Sequence, residues 1–102
     1  MNTKNDLENK KDAIFEQLKQ FIAEIIGADI VEELNITNDS IFTKDIEMDS
    51  IEIVAFAEKV NKFYGKKIDF ISWLYQTDFD KLVNLSVGSI VDLIYGKIEK
   101  GS

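Results

Sequence analysis

Apolar residues recur three and four positions apart in three places along this 102-residue chain, and that spacing predicts amphipathic helices. The first run holds Ile14, Leu18, Phe21, Ile22, Ile25 and Ile26, from about Asp12 to a stop at Gly27. The second starts at about Ser50 and places Ile53, Phe56, Ala57, Val60 and Tyr64 on one face, with Phe63 at its margin. Gly65 ends it, and Lys66-Lys67 just beyond suit the negative end of its dipole. The third opens on Ser86 as N-cap and carries Val87, Ile90, Val91, Ile94 and Ile98, with Gly101 past its end.

The stretches between are less periodic. Met1 to Lys11 carries no stripe, so residues 1–12 read as a polar, flexible lead-in to a domain over 13–100. Asp29 to Asp49 reads as a long linker anchored by Ile30, Leu34, Ile36, Ile41, Phe42 and Ile46, with turn chemistry from Asn35 to Ser40. In Ile68 to Leu85, Trp73, Leu74, Phe79 and Leu82 look like anchors of one or two short helical turns, capped by Thr77 or Asp78. No strand-like alternation competes. The predicted fold is all-α, a small four-helix bundle of three longer helices and one short one, with a long loop between helices 1 and 2. Phe56 and Val60 are expected to pack against Ile22, Ile26 and Ile94.

Composition narrows the chemistry. Cysteine and histidine are both absent, which removes disulfides, thiolate nucleophiles and the usual zinc ligands. A reducing cytoplasm is the expected location, with no membrane span and no secretory signal after the polar Met1–Asp6 start. Twelve basic residues against nineteen acidic ones leave a net charge of −7, which argues against nucleic acid and for basic partner surfaces.

One side chain stands out for chemistry. Ser50 follows Asp49 and precedes the apolar run Ile51, Ile53, Val54 at a helix start, where unpaired N–H groups and the dipole favour a phosphate ester. No imidazole is present to activate it. Two readings follow from spacing: Ser50 or Asp49 is an N-cap and nothing more, or Ser50 is a substrate that another enzyme modifies. A calcium loop over Asp39–Ser50 is excluded, because Ile41, Lys44 and Ser50 fall where a ligand, a glycine and a glutamate are required.

Asp49-Ser50-Ile51, preceded by Phe42-Thr43-Lys44-Asp45-Ile46, resembles the acyl carrier protein family, whose signature is Asp-Ser-Leu after a Phe-x-x-Asp-Leu segment. Leu34-Asn35-Ile36, Asp39-Ser40-Ile41-Phe42, Phe63–Ile68 and Leu85–Ile94 extend the likeness from about Ile14 to Ile98. The resemblance implies a non-enzymatic carrier. A phosphopantetheinyl transferase would place 4′-phosphopantetheine, from coenzyme A, on Ser50 between Asp49 and Ile51. An acyl-loading ligase or acyltransferase and downstream synthase enzymes would then use its thiol. It also implies a partner-docking face at Glu47, Met48, Glu52, Val54, Ala55 and Glu58 of a monomer, with Ile51 and Val54 as its exposed apolar strip. No metal site is expected on the chain.

Departures from the family pattern are specific. Glu47 replaces a customary glycine, Ala55, Asn61 and Lys62 stand at commonly acidic positions, and the segment containing Trp73 and Tyr75 is longer. These features suggest a stand-alone carrier of a specialised pathway, in fatty-acid-like, polyketide or lipopeptide synthesis. An aminoacyl or peptidyl carrier is the nearest rival, although Glu47-Met48 lacks its glycine pair. A helical adaptor without a prosthetic group is the rival of a different class.

Overall fold

The computed structural model describes residues 3–65 and 68–100, and these fold into an all-α bundle. Among the described residues there are six helices: α1 (Thr3–Ile26), α2 (Ala28–Leu34), α3 (Ser50–Tyr64), α4 (Phe70–Gln76), α5 (Phe79–Val83) and α6 (Val87–Lys100). The helices α1, α3 and α6 are the three predicted from periodicity. Their inward stripes meet in one core around Leu18, Ile22, Phe56, Val60, Ile90 and Ile94, all at or near zero exposure. Lys66-Lys67 and Gly101, expected beyond two helix ends, lie outside the described residues.

Several expectations are corrected. The chain is helical from Thr3, not from Asp12. Although these first turns lack an apolar stripe, Lys10 pairs with Glu99 at 2.9 Å and Lys11 with Asp92 at 3.0 Å, fastening them to α6. The start of the long linker is also helix. Gly27, at φ +108°, breaks α1 and immediately opens α2, its carbonyl accepting the Val31 N–H. Val31 is then buried, and Asn35 ends the helix in the left-handed region that asparagine tolerates. At the edges of the bundle, Ile98 and Phe79 are exposed, not core anchors.

The rest of the linker is held by hydrogen bonds. Asp45 closes its own turn by accepting the Ile41 N–H at 2.7 Å. The Phe42 N–H donates to the Leu85 carbonyl, and the Val87 N–H donates to that of Ser40. Gly88 donates to Asn38 at 2.8 Å in the same seam, where a Cβ would lie 2.9 Å from the Asn38 carbonyl oxygen. Glycine is required there by close backbone approach. This seam delivers Phe42, Ile46 and Met48 to the core just ahead of α3.

Between α3 and α4, Asn61 accepts the Phe70 N–H at 2.9 Å, supplying a partner at the start of α4. Phe70 is thereby seated against Phe56, with ring centroids 6.3 Å apart, and Phe42 covers Phe56 from the linker side at 5.0 Å. On the surface, Lys59 donates to Glu24 at 2.9 Å between α3 and α1. That hydrogen bond holds the Glu24 carboxyl below its ordinary pKa.

Candidate functional site

The start of α3 separates two roles that spacing alone left open. Asp49 is the N-cap, accepting the Glu52 N–H at 2.8 Å, and Glu52 in return accepts the Asp49 N–H at 3.1 Å. This reciprocal capping box satisfies the helix end without Ser50. Ser50 is the first helical residue, is exposed, and its hydroxyl has no hydrogen-bond partner among the described residues. Three other serines are engaged. Ser40 accepts the Thr37 N–H, Ser86 accepts the Ser89 N–H, and the Ser86 and Ser89 hydroxyls lie 2.9 Å apart.

Ser50 also borders an apolar cavity of about 290 Å³. Ile53, Val54 and Phe56 of α3 form one wall, Phe70, Leu74 and Tyr75 of α4 another, and Phe79, Leu82 and Val83 of α5 a third. Phe42, Met48, Leu85 and Ile90 complete the lining. Thr43, a polar group on this wall, commits its hydroxyl to the Val83 carbonyl at 2.5 Å. The interior is therefore hydrocarbon, while Ser50 and Val54 lie at its solvent side. Such a space suits an apolar ligand, since an unpaired polar group would lose hydration there.

The family described as a phosphopantetheine attachment site matches residues 16–77. The chain belongs to this family. No curated protein matches the chain, and neither does any solved structure. The family is defined by covalently attached 4′-phosphopantetheine, so this chain has the role of a phosphopantetheine-bearing carrier. The residues present fit such a group. A partner-free hydroxyl sits at the positive end of a fifteen-residue helix, beside a cavity able to shelter an apolar cargo.

The remaining candidate residues of this carrier do not form a single face. Ile51 is 79% exposed and Val54 41%, while Glu47, Asp49 and Glu58 are exposed. Met48, expected on the docking surface, is buried at 3% and lines the cavity instead. Its N–H donates to the Phe42 carbonyl, which turns the side chain inward. Ala55 is half-buried, and Glu52 is half-buried and bound into the capping box. The aromatic residues Tyr75 and Phe79 on the cavity wall were not anticipated as part of the site. Their signal was the extra length of the Ile68–Val87 segment.

Glu47 occupies the left-handed region at φ +60°, which glycine adopts without steric cost. A side chain there costs about 1–2 kcal/mol, partly offset because glycine loses about 0.5–1 kcal/mol more entropy on folding. Glu47→Gly should therefore stabilise this carrier by about 0.5–1 kcal/mol. A lower midpoint in chemical denaturation would show that the Glu47 side chain contributes more than its backbone costs.

Proposed function

We propose that Ser50 is the attachment point of the 4′-phosphopantetheine group and that the protein carries acyl intermediates as thioesters between enzymes of a fatty-acid-like, polyketide or lipopeptide pathway. The observation that carries this reading is the free Ser50 hydroxyl, released from capping by Asp49 and opening onto an apolar cavity. When bound, the prosthetic group supplies the thiol that this cysteine-free chain lacks. The chain's own residues present the hydroxyl to a transferase and shelter the cargo; they catalyse no step.

The cavity favours acyl over aminoacyl cargo. It has about twice the volume of an engineered cavity that takes up benzene, roughly 150 Å³, and so admits a chain of medium length. Each buried methylene contributes about 0.8 kcal/mol, whereas an ammonium group carried into the same space would have no partner. Loading with octanoyl-phosphopantetheine should add its mass to the peptide containing Ser50 and raise the melting temperature by more than about 5 °C over the acetyl-loaded form. Equal melting temperatures for octanoyl, acetyl and aminoacyl forms would remove the preference for acyl cargo while leaving the carrier role.

The same reading makes the protein a monomeric carrier of the cytoplasm, served by a phosphopantetheinyl transferase, an acyl-loading enzyme and downstream synthases. Among the described residues no helix is long and apolar enough to cross a membrane. Ile51 and Val54 form the desolvated contact with these partners, and Glu47 and Glu58 supply long-range attraction. Glu58→Lys should mainly slow association with the transferase and weaken its salt dependence. Ile51→Asp should mainly speed dissociation. Association and dissociation rates at two salt concentrations separate the two effects, and unchanged rates for Glu58→Lys at low salt would reduce that residue to a solvated charge. Glu52→Lys is a poor probe, because it also breaks the capping box.

A further inference from the structure

Tyr75 and Phe79 are large aromatic residues that are 77% and 75% exposed, yet both line the cavity that begins at Ser50. They come from different helices, Tyr75 from the last turn of α4 and Phe79 from the first residue of α5. The deep lining is made by buried residues such as Phe42, Met48, Phe56 and Leu74, so the two exposed rings belong to its rim. Ser50 and Val54 are the exposed lining residues contributed by α3. The rim thus runs from the candidate attachment hydroxyl on one helix to two aromatic rings on two others.

The helix carrying Phe79 is itself lightly held. It is five residues long and none of its residues is fully buried. Its ties are at its C-terminal end, where Val83 accepts from Thr43, Asn84 accepts from Lys44 at 2.7 Å, and the Leu85 carbonyl accepts from Phe42. An element with few buried groups opens and closes more readily than the core. The Phe79 end can therefore adjust to what occupies the cavity while the Val83 end stays fixed.

We propose that Tyr75 and Phe79 form an aromatic rim that closes over the thioester-proximal part of a carried alkyl chain, retaining it in the cavity and shielding the thioester from water. The inference rests on the acyl-carrier reading of Ser50 and names the residues that determine retention. Its occupant is the protein's own cargo, because the two rings are continuous with the cavity wall and with Ser50. An acetyl group is too short to reach deep lining and rim together, so retention depends on chain length.

The test is hydroxylamine cleavage of the thioester in the isolated loaded protein, with no partner enzyme present. Octanoyl and acetyl forms of the unsubstituted protein are compared with those of Tyr75→Ser, Phe79→Ser and the double variant, with circular dichroism as the folding control. The unsubstituted octanoyl form should be cleaved more slowly than the acetyl form. The double variant should cleave its octanoyl thioester at least about threefold faster, from the loss of two aromatic packing contacts, and its acetyl thioester at an unchanged rate. If the unsubstituted protein protects octanoyl no better than acetyl, the acyl-cavity reading fails and the rim with it. If it protects octanoyl but both single variants and the double variant protect it equally well, the rim alone is overturned. Fluorescence of Trp73 gives a second readout, since its ring stacks on Phe70 of the cavity wall at 5.5 Å. Octanoyl loading should shift its emission in the unsubstituted protein and less in the double variant.

Discussion

Ser50→Ala should abolish phosphopantetheine loading completely while leaving the domain folded. The loss is total because no imidazole or thiol is present to substitute for the hydroxyl. Among the described residues the other serines offer poor alternatives. Ser40, Ser86 and Ser89 are engaged in local hydrogen bonds, and Ser72 lies within the seven-residue α4 away from a helix start. Stability should change by no more than about 0.5 kcal/mol, as for a surface substitution away from structural features. Asp49, not Ser50, caps α3, so the capping box survives the change. Incubation with coenzyme A, magnesium and a broad-specificity transferase, followed by intact-mass measurement, reads the outcome. A residual adduct in Ser50→Ala, or an adduct mapped to another serine in the unsubstituted protein, would defeat the assignment.

Phe56→Ala should destabilise the fold by about 3–5 kcal/mol, the range for truncating a buried aromatic residue. Phe56 is 2% exposed and lies between Phe42 and Phe70, so one substitution removes the link between the linker seam and α4. It also borders the existing cavity, and the vacated space would join that cavity instead of being filled by collapse. A domain with about 5–15 kcal/mol of stability could lose most of it. The chemical-denaturation midpoint should fall sharply. A midpoint that hardly moves would mean that neighbouring side chains close the gap.

The faces of the three long helices were legible because each stripe repeats at helical spacing and each is stopped by a glycine or opened by a cap. Phe56, Ala57 and Val60 in α3, and Val87, Ile90, Val91 and Ile94 in α6, are buried as their spacing predicts. Ser50 was legible for a different reason. Its neighbours resemble a family signature, and the matching family covers residues 16–77. The division of labour at the helix start was not legible, since aspartate and serine are equally good caps by type. Only the hydrogen bonds of Asp49 and Glu52 assign the cap and leave the serine hydroxyl without a partner.

Periodicity determined that this chain forms helices and which faces they bury, and the signature-like neighbours of Ser50 marked it as the candidate modifiable serine. Tertiary structure decided what spacing cannot encode. It made a helix of Ala28–Leu34, because seven residues around one buried valine are too short to show a period. It turned Met48 inward through a backbone bond to Phe42, placed Glu47 in a glycine conformation and gave Asn61 a role at the start of α4. It also brought α3, α4 and α5 around a common void beside Ser50. A cavity belongs to no segment: it is the space left when helices distant in sequence fail to pack completely, and its existence depends on their mutual placement.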